Sequence, residues 1–371
     1  MVENMRINNE KISSLQFLMI LCGSVIGVSI LDFPRIAMEQ VGSDSWVLIL
    51  IGTIIMYLVG ICIFKVLDKY KGHNFFQILS AILSKPLSVV ICILFSLHLM
   101  FMSAIQIRIF TEVTREYLLY NTPSEVIIIS MLLTIIFLIR NGIEVIGRMA
   151  QITFPVVSVL ILILLIPVIK EMDITNILPV LHTPIETIVK AIPSAIFVFA
   201  GIEVTFLLSY FVVDKDRLRK KYNISLLIIG CIYLIILVFT ISRFGIMEGK
   251  RIIWPVLELF KTIDIPGSFI ENVEILMISI WIVAVFISAS VWYYGAMRLI
   301  RLIWHEKGAK YLLVPIGAVI YILANYFRNV SEIMDILNKY LMTVGMFFVI
   351  GLPVILIIGD SIKKRGGSSH D

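Results

Sequence analysis

Charge is what this chain has least of. Asp, Glu, Lys and Arg together make up 15% of its 371 residues against 59% apolar residues, and mean hydropathy is +1.00, a balance that excludes a water-soluble fold of this length. Cysteine is nearly as scarce. Cys22, Cys62, Cys92 and Cys231 each stand alone in an apolar run with no CxxC pair, so they read as small buried hydrophobes rather than as a disulfide framework or a thiolate metal centre. His73, His182, His305 and His370 fall in loops or the tail, and neither an HExxH run nor a Ser/His/Asp arrangement occurs. An enzyme, a bound metal and a cofactor are therefore not expected. A Gly-rich phosphate loop and a basic patch interleaved with aromatics are also missing, so the net charge of +5 does not point to nucleic acid.

What is present is a series of apolar runs near residues 14–34, 45–66, 86–119, 123–139, 149–169, 185–212, 222–244, 271–303, 311–327 and 339–360. Each approaches or exceeds the roughly 20 residues that a helix needs to cross a bilayer core, so the chain is expected to have about ten spans. The first is not read as a cleaved signal peptide, because no small-residue cleavage site follows it and Pro34-Arg35 leads on into a further span. Twenty of the 31 basic residues, including the cluster Lys215, Arg217, Arg219, Lys220 and Lys221, fall on the inside if the N-terminus is cytoplasmic. Asp44, Glu171, Asp173, Glu248 and Asp264 lean to the other side. Both termini are thus predicted inside.

Ten spans divide into two sets of five, and the odd number turns the second set over, as an inverted repeat requires. The chain then forms one permease-like domain over 1–371, with repeat one at about 12–170 and repeat two at about 184–362. Corresponding spans match: the third and eighth are each about 33 residues long, and the first and sixth each carry glycines in mid-span. The connector between spans 7 and 8, from Trp254-Pro255 to Ile265-Pro266, is amphipathic and bounded by proline, and is expected to cap the outer mouth.

The two interrupted spans carry the chemistry. Breaks at Gly23 to Gly27 and at Phe199 to Glu203 would release backbone groups at mid-membrane depth, which is tolerated only where they are buried in protein or line a cavity. Amides freed at Ser24, Val25 and Gly27, with the N-terminus of the following half-helix, would favour a ligand carboxylate. Gly27 lets the backbone approach a ligand closely, or serves tight helix packing. Carbonyls freed at Gly201 would face a ligand amine, and Ala200 would keep the floor of the pocket small. On span 3, His98, Met102 and Gln106 recur every four residues, as Ser288 and Trp292 do on span 8; such stripes either wall a pocket or pack helix on helix. Glu203 is an intramembrane carboxylate that calls for a gating, proton-carrying or paired role. Arg108, with Glu112 and Arg115, reads more simply as a network at the outer leaflet.

The runs Gly23-Ser-Val-Ile-Gly-Val-Ser-Ile-Leu-Asp-Phe-Pro34-Arg35, Asp173-Ile-Thr-Asn-Ile-Leu-Pro179-Val, Phe199-Ala-Gly-Ile-Glu203, Trp254-Pro-Val-Leu-Glu-Leu-Phe260 and Glu271-Asn-Val-Glu with Trp281-Ile282, taken in order, resemble the GerAB family of spore germination proteins. The resemblance implies membership of the amino acid/polyamine/organocation superfamily and an all-α fold with a 5+5 inverted repeat. It further implies the B subunit of a nutrient germinant receptor in the spore inner membrane, working with an A subunit and a lipoprotein C subunit. Asp32 and His98 depart from the family pattern, and both bear on the identity of the ligand.

Three readings follow: a receptor subunit whose nutrient shifts a conformational equilibrium, an ion-coupled amino-acid transporter, and a structural scaffold. The paired breaks argue against the scaffold. The alternating Ser288 and Ser290 do not supply the adjacent hydroxyls expected of a sodium site, and residues 149–169 hold no charge. Only Glu203 is left to carry a proton, which favours the receptor.

Overall fold

In a computed structural model, which describes residues 10–262, 273–304, 309–327 and 329–367, the apolar runs form helices. Among the described residues the regular structure is helical, with one isolated β-bridge between Ile12 and Val212. It opens with α1 (Ser14–Val25) and α2 (Ser29–Val41), which divide the first span, followed by α3 (Ser45–Lys69), α4 (Phe75–Ile82), α5 (Lys85–Tyr117), α6 (Ser124–Ile139) and α7 (Ile143–Leu165). The second half holds α8 (Ile185–Phe197), α9 (Thr205–Leu208), α10 (Leu218–Gly249), α11 (Pro255–Lys261), α12 (Val273–Trp304), α13 (Ala309–Tyr326), α14 (Val330–Tyr340) and α15 (Leu352–Gly367). Six stretches are long and apolar enough to cross a membrane, α8 with the segment after its break makes a seventh, and three shorter apolar helices fill the remaining places. These are the ten expected spans, the first split between α1 and the run that continues through α2 into α3. The α4 segment and the amphipathic α14 were not foreseen.

Local chemistry sets the ends. Ser13 and Gln16 form a reciprocal cap at the start of α1: the Gln16 amide donates to Ser13 Oγ at 3.1 Å, and the Ser13 amide to Gln16 Oε1 at 2.9 Å. Asn74 and Gln77 repeat the device at α4, and Pro86 stands in the first turn of α5, where its missing N–H costs nothing. α5 spans 33 residues and α12 spans 32. They pack along each other as the main helix pair of the core, while α6 and α7 turn residues such as Leu133 and Ile152 outward, as lipid-facing helices do.

The first and sixth spans run side by side in opposite directions and are fastened at both ends. At one end the Ile12 amide donates to Phe211 O at 3.0 Å, the Val213 amide returns a bond to Ile12 O at 3.1 Å, and the Ser14 amide and hydroxyl reach Asp214. At the other end Asp44, buried at the close of the first span, accepts the amides of Leu181, His182 and Thr183 at 2.5, 2.9 and 2.7 Å. Partial burial would raise the Asp44 pKa, but the bonds from Thr183, Leu181 and His182 outweigh it and hold the carboxyl below its ordinary value. The first part of the connector expected to act as a cap is the short helix α11, which buries Val256, Leu257, Leu259 and Phe260 against α2, α10 and α12. The connector's Ile265-Pro266 end, like Asp264 and Glu271, lies outside the described residues.

Candidate functional site

The break in the first span falls at Ile26, Gly27 and Val28, overlapping the C-terminal end of the expected Gly23 to Gly27 stretch. Gly23, Ser24 and Val25 remain helical in the last turn of α1. The amides expected to be free are used. Ile26 N–H bonds Cys22 O at 2.9 Å, Gly27 N–H bonds Val25 O at 2.9 Å, and Val28 N–H donates to Gln106 Oε1 at 3.1 Å. What the break exposes is a row of carbonyls, as a helix C-terminus must, and α12 caps them. Trp292 Nε1 donates to Ser24 O at 3.1 Å, Ser288 Oγ to the same oxygen at 3.0 Å, and Trp281 Nε1 to Gly27 O at 3.0 Å. The two indoles stand eleven residues apart, close to three turns at 3.6 residues per turn, so one face of α12 reads both carbonyls. Ser290, on another side of the helix, bonds its own Phe286 O at 2.6 Å.

The second break runs from Val198 to Gly201 and bends the sixth span by 50°. Gly201 has φ +111°, in the left-handed region that a side chain strains, and a Cβ there would stand 2.8 Å from Ser24 O. The last turn of α1, just before the first break, therefore touches the second break. Ser24 Oγ, which donates to Leu21 O at 2.8 Å, lies 3.3 Å from Gly201 O. Glu203 fastens this turn with its own side chain: Oε2 accepts the Gly201 amide at 2.8 Å, and Oε1 is 3.3 Å from His98 Nε2. His98 Nδ1 in turn pairs with Tyr340 OH at 3.0 Å. His98 stacks on Phe348, with ring centroids 4.8 Å apart, and on Tyr340 at 5.8 Å. The partner that Glu203 lacked in sequence is thus His98, and both are buried.

A cavity lies beside the breaks, walled by Val25, Met102, Ala200 and Trp292 of the expected set together with Ser29, Asp32 and Gln106. It leaves about 20 Å³ open to water, space for one water molecule and far below the roughly 300–1,000 Å³ of a ligand pocket. Gly27 borders this region: a Cβ would stand 2.8 Å from the Gln106 amide and from Ser288 Oγ. Gly23 is a packing glycine, its missing Cβ replaced by Ile287 Cγ2 at 2.9 Å. His98 lines a larger, more open apolar groove of about 560 Å³ with Leu97, Phe101, Tyr340 and Phe347, although Met102 and Gln106 of the same stripe face the smaller cavity. Arg108 pairs with Glu112 at 2.7 Å, apart from both. Gln106, Trp281 and Tyr340 were not among the expected ligand-binding residues. The four-residue stripe from His98 pointed to Gln106, whereas no local signal pointed to Tyr340.

Two antiparallel broken spans beside a long helix pair define an all-α membrane protein with an inverted-repeat fold. Solved structures agree on this fold. The chain superimposes with TM-score 0.68 on MhsT in complex with L-phenylalanine, over 93% of this chain and 88% of that one at 15% identity. With the substrate-bound, outward-open Na⁺-coupled sialic acid symporter the score is 0.65, over 92% and 79% at 15% identity. Within that fold class the chain belongs to the spore germination protein family, which it matches over residues 11–333. Similar proteins include YndE of Bacillus subtilis (strain 168), 25% identical over 96% of this chain and 98% of the relative, and GerLB of Bacillus cereus, 27% identical over 98% and 97%. Spore germination protein B2 of Bacillus subtilis is 24% identical over 98% and 99%.

Proposed function

We propose that this chain is the B-type subunit of a spore germinant receptor. In this reading a small polar nutrient, of amino-acid size, binds between spans 1, 3, 6 and 8. The site draws on Gly23, Ser24, Val25, Gly27, His98, Met102, Ala200, Gly201, Glu203, Ser288 and Trp292, some lining the cavity and others holding its walls. The observation that carries the proposal is the contact of the end of α1 with the second break, Ser24 against Gly201 under Trp292, beside a cavity too small to admit a nutrient as it stands. Entry must therefore move the broken segments, and that movement is what A-type and C-type partners would read. The protein performs no covalent chemistry in this role and sits in the spore inner membrane with both termini on the core side.

A shift from 1:99 to 99:1 in such a two-state equilibrium takes about 5.5 kcal/mol of differential affinity. Replacing Gly27 by valine tests the site, since the added atoms meet Gln106 and Ser288. Spores carrying Gly27→Val should keep the protein in the membrane at normal abundance and lose the nutrient response; an unchanged response threshold places the site elsewhere. The second reading, a proton-coupled amino-acid transporter, is favoured by the buried Glu203–His98–Tyr340 series.

A further inference from the structure

The small cavity beside the breaks holds one ionisable side chain among the described residues that line it, Asp32. Asp32 is 2% exposed, and its Oδ1 makes no hydrogen bond. None of its neighbours bonds that oxygen. Ser29 Oγ donates to Val25 O at 3.1 Å and pairs with Tyr233 OH at 2.6 Å, and Arg35, one turn on, pairs with Glu39 at 3.4 Å and reaches Asp32 only through space. A carboxyl buried at this depth with an unused oxygen either holds a proton or gains from meeting a cation.

The position of Asp32 also decides which end of a ligand can come here. It stands in the first turn of α2, where the positive end of the helix dipole favours a negative charge, so the protein's own carboxylate already occupies the place where a ligand carboxylate was expected. A second anion would be repelled. Gln106, whose oxygen is engaged by Val28 N–H, lines the same cavity, and its amide nitrogen is a donor suited to a ligand oxygen.

Resting on the reading of this cavity as the nutrient site, we propose that Asp32 is a specificity-determining residue that recognises an ammonium group, so that the receptor answers amines, amino acids among them, and not neutral or purely anionic nutrients. The cation replaces the missing partner of Oδ1, and opening of the breaks admits the remainder of the molecule.

The test uses spores carrying the full-length chain with its partner subunits and three mixtures at matched concentration: free amino acids, their carboxamides, which keep the ammonium and lose the carboxylate, and their N-acetyl derivatives, which lose the ammonium. Wild type should respond to the first two and require at least tenfold more of the third. Asp32→Asn, at normal membrane abundance, should raise the threshold for the first two at least tenfold, with Asp32→Glu retaining part of the response. If Asp32→Asn does not accumulate, the three mixtures on wild type decide alone. An N-acetyl mixture as potent as the free amino acids, silence of wild type to both ammonium-bearing mixtures, or an unchanged threshold in accumulating Asp32→Asn overturns the proposal. Gly27→Val separates the two readings: if it abolishes the response while Asp32→Asn leaves it intact, the site stands and the ammonium assignment fails, whereas if neither matters the site itself is wrong.

Discussion

Glu203 closes the turn that it follows, accepting the amide of Gly201 two residues before it while touching His98 from a span 105 positions away. Exchanging it for glutamine keeps the shape and leaves one oxygen to accept a bond, but removes the charge that Gly201 N–H and His98 share. Hydrogen bonds to charged groups contribute about 1.5–3 kcal/mol, so Glu203→Gln should lower protein abundance or abolish the nutrient response, and membrane immunoblots with germination assays on the same spores read both. Normal values of each return the residue to the background. The sequence singled out both Glu203 and His98 because a polar group inside an apolar run is conspicuous on its own. It could not join them, since nothing local relates residues on two helices, and it had no means of finding Tyr340, a tyrosine at the edge of an apolar run like several others. The free amides expected at Ser24 to Gly27 were not found for a related reason: where a helix ends depends on which orphan groups find partners, and the partners here are Trp281, Ser288 and Trp292 of a distant helix.

At the scale of elements, the lengths of α5 and α12 and the interruption of the first and sixth spans were readable because apolar run length and mid-span glycine are intrinsic to the chain. The short α4 and the amphipathic α14 were hidden, as eight and eleven residues lie below the length at which hydropathy speaks. Also hidden was the fastening of the broken spans to each other, which rests on Asp44 at one end. Because its folded pKa lies below the ordinary carboxylate value, the clasp contributes fully above about pH 4 and is lost as pH falls through the depressed folded value, the sign expected for a carboxylate bound by amides. Asp44→Asn loses that charge at every pH. Its melting temperature in detergent should fall below wild type at neutral pH, by an amount corresponding to about 1–3 kcal/mol, and the gap should narrow toward pH 3. A gap that is constant with pH would remove the carboxylate from the clasp.

Across the whole molecule, the fold is that of substrate-binding transporters while the family is one of germination proteins, and what divides the two uses is coupling. Uphill transport needs a second ligand whose binding free energy is linked to that of the substrate. The groups that would hold a sodium ion are otherwise engaged: Ser288 is spent on Ser24 O, and Ser290 on its own helix. The stretch Met149 to Leu165 of α7 carries no charge that could exchange with a proton, which leaves Glu203, itself tied to Gly201 and His98, and Asp32, which the inference above assigns to the ligand. On the receptor reading proposed above, a nutrient that enters redistributes the conformations of the protein without drawing on a second gradient. Purified protein in liposomes should therefore bind labelled amino acids without concentrating them under either a sodium or a proton gradient, and filtration uptake with ionophore controls measures this directly. Accumulation above the equilibrium level that depends on the proton gradient and disappears in Glu203→Gln would show that the Glu203–His98–Tyr340 series moves protons, and would make this chain a transporter that germination has adopted rather than a receptor that has kept a transporter's fold.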